Sequence, residues 1–212
     1  MYKVKRFVFN KMAENSFVLY HDGGDAVVVD PGCSNDRERE MIAGFIREEG
    51  LTPLAVVLTH GHFDHILGAA YITDLYGIKS WVHTAEKQEM ANAARAAAIY
   101  QVNMDQPYTG ADNYFEGETV LRFGKLELHV LETPAHSPGS VCFYVPDGDV
   151  LFAGDTIYNC KLGFSNDGYA PLIRVVREKI LVLPDVTMVY SGHGVPCKVG
   201  ELILPASVRR LP

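Results

Sequence analysis

The run THGHFDH puts four metal-capable side chains, His60, His62, Asp64 and His65, within six consecutive positions directly after the apolar stretch Leu54 to Leu58. Imidazole nitrogens and carboxylate oxygens suit zinc, iron or manganese, and core packing gives no reason to crowd so many of them together. The apolar stretch reads as a strand, so the donors stand at its C-terminal end, where open sheets commonly hold ligands. The fold must therefore bring a strand end to a protected site.

Around that strand the pattern is regular. Val4, Phe7 and Phe9 begin an extended segment, Phe17 to Tyr20 form a second, and the turn HDGGD leads into Ala26 to Val29. Asp30-Pro31-Gly32 closes this strand. Ser34 is expected to cap a helix carrying Met41, Ile42, Phe45 and Ile46 at helical spacing until Gly50 stops it. Beyond the donor run, Leu67 to Tyr76 predicts a helix, Trp81 and Val82 a short strand, and the alanine-rich Thr84 to Tyr100 another helix.

Residues 101–118 read as a long polar loop of the kind that forms binding edges. From Thr119 the pattern returns to strands: Leu126, Leu128 and Val130 alternate, and Val141 to Val145 and Val150 to Ala153 flank the turn Pro146-Asp147-Gly148-Asp149. Ala170 to Leu183 predicts a helix and Val186 to Tyr190 a last strand. With no linker or low-complexity tract, residues 1–212 are expected to form one domain of two packed sheets with helices outside.

Composition narrows the partners. Forty-eight per cent hydrophobic residues supply a core, and 19 basic against 26 acidic side chains, a net charge of −7, argue against nucleic acid as a partner. No apolar run approaches the roughly 18 residues that span a membrane, and no signal peptide is evident, so a cytoplasmic location is expected. Cys33, Cys142, Cys160 and Cys197 are widely spaced and read as buried reduced thiols.

Three further candidate ligands stand at predicted strand ends beside glycine or proline turns: His136 in TPAHSPGS, Asp155 in LFAGDT and His193 in SGHG. With the first four they give five imidazoles and two carboxylates, enough for two metal sites that each keep a position for water. Read structurally instead, Asp64 would cap the following helix, Asp155 would cap a turn and His193 would be a surface histidine. His21, His83 and His129 lack this context and receive no role.

These pieces, in this order, resemble the metallo-β-lactamase superfamily. Its H-x-H-x-D-H signature is matched by His60, His62, Asp64 and His65, its T-P-x-H-x-x-G-S segment by TPAHSPGS, and its G-D-T strand end by LFAGDT. SGHG resembles its last histidine turn, and Asn15 with FVLY and AVVVDPG its opening strands. The resemblance implies an α+β fold, an αββα sandwich of two mixed β-sheets with outer helices, and metals at one edge between the sheets.

It further implies that His60, His62 and His136 hold one metal, Asp64, His65 and His193 a second, and that Asp155 bridges them. Two zinc ions are the expected cofactor, with iron or manganese as alternatives. A metal-bridging hydroxide would then cleave a thioester or ester of a small-molecule acyl substrate, with Asp64 as ligand and proton acceptor. Thr59 and Ser137 are expected to orient ligands, and Asp30 to accept a hydrogen bond from a ligand imidazole.

Within the superfamily the chain is most similar to the glyoxalase II (hydroxyacylglutathione hydrolase) group. Those proteins carry a G-R turn after the G-D strand end, where this chain has Gly163-Phe164, and a helical extension supplying basic residues, where this chain ends with only Arg209 and Arg210 nearby. Lys161 is a less directional substitute, and Tyr158 and Phe164 suit a more apolar pocket. A persulfide dioxygenase-like oxygenase with one iron on His60, His136 and Asp155, or a lactonase, shares the same motif. Similar proteins pair, so a homodimer is an expectation.

Overall fold

The computed structural model describes residues 1–206 and Val208; Arg209 and Arg210 lie outside the described residues. Strands β1 (Tyr2–Phe9), β2 (Glu14–His21) and β3 (Asp25–Val29) form an antiparallel meander. The chain then crosses over through α1 (Asp36–Glu48) to β4 (Thr52–Val57), parallel to β3. Short α2 (Phe63–Ile66) and α3 (Ala69–Tyr76) lead to β5 (Lys79–His83). A 3-10 turn, Thr84–Glu86, and α4 (Lys87–Ile99) lead to β6 (Asn113–Phe115). Parallel pairing of β3, β4, β5 and β6 requires such crossovers, which is why this half holds four of the helices.

The second half is built largely from hairpins. β7 (Val120–Phe123), β8 (Leu126–Glu132), β9 (Val141–Val145) and β10 (Val150–Gly154) run antiparallel in succession. A small hairpin, β11 (Ile157–Tyr158) and β12 (Lys161–Leu162), precedes α5 (Tyr169–Val175), which continues as a π turn over Val176–Ile180. β13 (Met188–Ser191) then pairs parallel with β10, and β14 (Cys197–Lys198) closes the edge. The sheet orders are β1-β2-β3-β4-β5-β6 and β14-β13-β10-β9-β8-β7.

Strand alternation sorts the core into three layers. In β3, Val27 and Val29 join Phe17, Leu19 and Val57 against Leu126, Leu128, Val130, Phe143 and Phe152 of the other sheet. Ala26 and Val28 face the opposite way, onto Ile42 and Ile46 of α1 and Ile72 of α3. Behind the second sheet, Leu151, Ala153 and Val189 meet Val176 and Ile180. Truncating a wholly buried ring such as Phe143 or Phe152 costs about 3–5 kcal/mol. The architecture is the αββα sandwich of two mixed sheets that the sequence implies.

Several boundaries differ for physical reasons. Asn35, not Ser34, is the cap of α1: its side chain accepts from Glu38 N–H, while Ser34 donates from its amide and hydroxyl to Glu38 Oε2. The helix expected from Leu67 begins at Ala69 because Gly68 donates its N–H to Pro31 O. Residues 101–118 are not wholly irregular. Asn113–Phe115 adds the sheet's edge strand, held where Asp112 accepts from Ser80 N–H and Oγ–H, each at 3.0 Å. No helix among the described residues is long and apolar enough to cross a membrane.

Candidate metal centre

All seven sequence-identified donors converge at one end of the sandwich. His60 lies just past β4, His62 stands at the N-cap of α2, and Asp64 and His65 occupy that helix, both buried. The second sheet supplies the others: His136 from the β8–β9 connection, Asp155 directly after β10, and His193 directly beyond β13. Two sets of donor atoms are compact, His60 with His62 and His136, and Asp64 with His65 and His193, each set lying within 4.8 Å.

Asp155 faces both sets. Its Oδ2 is 3.5 Å from His136 Nε2 and 3.6 Å from His193 Nε2, and its Oδ1 is 3.5 Å from His65 Nε2. Asp64 Oδ2 stands 3.3 Å from His193 Nε2 and 3.9 Å from His65 Nε2. Two ligands of one tetrahedral ion at 2.0–2.1 Å are separated by about 3.4 Å. The donor spacings match that requirement.

Hydrogen bonds fix which nitrogen each ring presents. Thr59 Oγ1–H donates to Asp30 Oδ2 at 2.6 Å, so its lone pair is left to accept from His60 Nδ1–H at 3.0 Å, and His60 presents Nε2. His65 Nδ1–H donates to Asp30 Oδ2, His136 Nδ1–H to Phe164 O, and His193 Nδ1–H to Met12 O, at 3.1, 2.8 and 3.1 Å. His62 is reversed: its Nδ1 is 2.9 Å from His136 Nε2, while its Nε2 points toward Glu89, 3.9 Å away. Backbone carbonyls and carboxylates behind ligand imidazoles set tautomer and orientation in this way.

Asp30 also lies within reach of His60 and His65 as a third potential set. Its oxygens, however, already accept from Thr59 N–H and Oγ1–H and from His65 Nδ1–H. It accepts from one imidazole, His65, as expected, and supports a second, His60, through Thr59. Ser137 instead reaches Glu86. His21, His83 and His129 belong to none of the donor sets found among the described residues.

The electrostatics are those of a site that gathers positive charge. Burial first, then the neighbouring imidazoles, holds His60 well below the ordinary histidine range, and burial with His136 lowers His62 to about 4, so both rings are neutral. Burial opposes charge on His65 too, but Asp155 and Asp64 raise it well above its ordinary value. Burial would raise both carboxyls, yet His65 foremost holds Asp155 and Asp64 below the usual range.

Whether these residues fit a metal is decided by their unsatisfied atoms. His60 Nε2, His65 Nε2 and Asp155 Oδ1 are buried without a hydrogen-bond partner. Orphaned buried polar atoms are costly, and these three belong to the donor sets. Nitrogen and carboxylate donors in this arrangement suit divalent zinc, iron or manganese. Gly192 keeps the approach open, since a Cβ there would overlap Asp155 Oδ1 and reach within 2.6 Å of His65 Cε1.

Two supports escaped the sequence reading of roles. Asn15 holds the His193 turn, its Nδ2 donating to Ser191 O and Gly194 O at 2.8 and 2.9 Å, and its backbone N–H to Gly192 O at 2.7 Å. Glu86, wholly buried, accepts from the turns that carry His60, His62 and His136. Asn15 stood in a family-like segment, but nothing in the local sequence marks Glu86.

The family model for the metallo-beta-lactamase superfamily matches residues 10–193, from the turn before β2 to the last donor. The chain belongs to that superfamily. A Bacillus subtilis (strain 168) protein described as the probable metallo-hydrolase YqgX is 34% identical over 195 residues, 91% of this chain and 90% of the relative. Hydroxyacylglutathione hydrolase GloC of Haemophilus influenzae (strain ATCC 51907 / DSM 11121 / KW20 / Rd) is 27% identical over 197 residues, covering 89% of each.

Among solved structures, BLEG-1 B3 metallo-beta-lactamase aligns with a TM-score of 0.83 at 33% identity, over 94% of this chain and 95% of that one. TTHA1623 in a di-iron-bound form aligns with a TM-score of 0.79 at 28% identity, over 93% and 96%. The agreement runs through both sheets of this superfamily member.

Proposed function

We propose that this superfamily protein is a binuclear metal-dependent hydrolase, using two zinc ions, of small thioesters or esters. The observation that carries the reading is Asp155, whose Oδ2 stands 3.5 Å from His136 Nε2 of one donor set and 3.6 Å from His193 Nε2 of the other. A mononuclear centre would leave Asp64 and His193, 3.3 Å apart, without a purpose for their convergence. The likeness to a hydroxyacylglutathione hydrolase supports the acyl substrate, and that to a di-iron protein supports two metals with iron as the alternative.

Bound there, a pair of divalent cations supplies Lewis acidity and hydroxide near neutral pH. His60, His62 and His136 would hold one cation, Asp64, His65 and His193 the other, with Asp155 between them. Asp64, buried with His193 Nε2 3.3 Å from its Oδ2, would serve as proton acceptor for the attacking water. Asp30 and the carbonyls of Met12 and Phe164 keep the rings aligned. The exposed rings of Tyr158 and Phe164 offer an apolar seat for the substrate. Lys161, on the strand paired with that of Tyr158, is a cation for the anionic groups of glutathione, less directional than a guanidinium.

The reading is tested by measuring metal content and turnover in the same preparation, against S-lactoylglutathione, simple thioesters, lactones and a β-lactam. Two metal equivalents and thioester or ester cleavage are expected. A single iron with oxygen uptake and no hydrolysis would replace the hydrolase with an oxygenase.

A further inference from the structure

Glu86 joins two turns that come from different sheets. Its Oε2 accepts from Gly61 N–H at 2.7 Å, between His60 and His62. Its Oε1 accepts from Ser137 Oγ–H at 2.7 Å and Gly139 N–H at 2.6 Å, just beyond His136. Ser140 Oγ, which accepts from Ser137 N–H at 3.0 Å, lies 2.6 Å from Ser137 Oγ and donates to it, leaving the Ser137 hydroxyl to donate to Glu86.

The glycines are shaped to this carboxylate. A Cβ at Gly61 would come within 2.8 Å of Met90 Cγ and 3.1 Å of Glu86 Oε2, and one at Gly139 within 2.8 Å of His83 Nδ1 and 3.0 Å of Glu86 Oε1. Glu86 is itself anchored on a capped turn. His83 Nδ1 accepts from Ala85 N–H at 3.2 Å, so His83 donates from Nε2 to Glu132 at 3.0 Å. The chain of contacts runs from β8 through β5 to the turns bearing three imidazoles.

We propose that Glu86 is a positioning residue of the metal centre: its carboxylate sets the separation of the His60–His62 turn from the His136 turn. The inference rests on the metal-hydrolase reading and deepens it. The other set is positioned by different groups, Asp30 behind His65 and Met12 O behind His193. Loss of Glu86 therefore weakens one half of the centre, whereas a residue needed only for folding would weaken both.

The test is zinc titration of the metal-free full chain against a chromophoric chelator, comparing wild type with Glu86→Gln. Glutamine keeps the volume but turns an N–H toward one of the two turns. One zinc equivalent is expected to weaken about 10–100-fold, the usual effect of losing a partner behind a ligand, and the other to stay within about twofold. In a His193→Ala background, which leaves the His60, His62 and His136 set intact, Glu86→Gln should show this loss, and in a His136→Ala background it should show none.

Unchanged binding, or equal weakening of both equivalents, overturns the proposal. If Glu86→Gln fails to fold, Ser137→Ala removes one of the three donors and should show the same asymmetry at about a few-fold, with a symmetric or absent effect counting against the proposal. Uptake of one zinc by wild type would defeat the binuclear reading alone, Glu86 then being judged on that ion's affinity. Uptake of none would defeat both.

Discussion

The ring of Tyr158 lies over His193, with centroids 5.6 Å apart and planes 28° from parallel. One face of a proposed ligand is thus covered by an aromatic side chain that is itself 51% exposed. Covering the exposed part of this ring with an apolar acyl group would contribute about 0.5–1.5 kcal/mol, at about 25 cal/mol per Å² of apolar surface removed from water. Tyr158→Ala should raise KM for an apolar thioester by about 2–12-fold. Zinc content and kcat should stay unchanged. Steady-state kinetics with metal analysis checks this, and a fall in kcat with lost zinc would assign Tyr158 to ligand orientation instead.

Asp155→Ala removes the carboxylate common to both donor sets. Metal content should fall by at least one equivalent and thioester hydrolysis by more than about 10²-fold, beyond the effect of losing an outer partner. Circular dichroism should be unchanged, because Asp155 lies after β10 rather than in a core layer. Full activity in this variant would sink the two-metal proposal.

Asp30→Asn tests the support behind the rings. Asp30 has φ of 47°, a left-handed conformation that asparagine tolerates, so the backbone should survive. The amide cannot accept both from Thr59 N–H at one terminal atom and from Thr59 Oγ1–H and His65 Nδ1–H at the other. Zinc affinity should fall about 10–100-fold with little change in unfolding temperature. Chelator competition and a melting curve read the two quantities separately.

Burial pushes the thiols of Cys33 and Cys142 up to about 12. Unfolded thiols titrate near 8.5, so between about pH 9 and 12 the unfolded chain releases protons that the folded chain keeps. Stability from these groups is complete below pH 8 and declines as pH rises, by up to about 1.4 kcal/mol per pH unit for each thiol. Urea unfolding at pH 8 and 10 should show the decline, and Cys142→Ala should reduce it by about half this two-thiol contribution. An identical decline in the variant would exclude the thiol as its source.

The candidate donors were legible because local chemistry announces them. THGHFDH cannot be a packing pattern, and His136, Asp155 and His193 stand beside small residues that let side chains converge. The layers were legible because β3 alternates between two cores and the apolar positions of α1 repeat at helical spacing. Glu86 was not, since a glutamate opening an alanine-rich helix resembles a solvated charge until tertiary contacts are known. Asn113–Phe115 was hidden for a similar reason: a three-residue edge strand has too few positions to show a period. The π turn at Val176–Ile180 preserves an apolar face, so its pattern reads as ordinary helix.

The donors after β4 and those after β8, β10 and β13 belong to different sheets. During synthesis, the first four emerge early and wait beside an unfinished partner layer, and the second set is complete only once His193 has left the ribosome. Capture of the proposed metals would therefore come late, after His193 has been made and the two sheets have docked. A chain stalled before that point would expose several imidazoles without a finished cage around them.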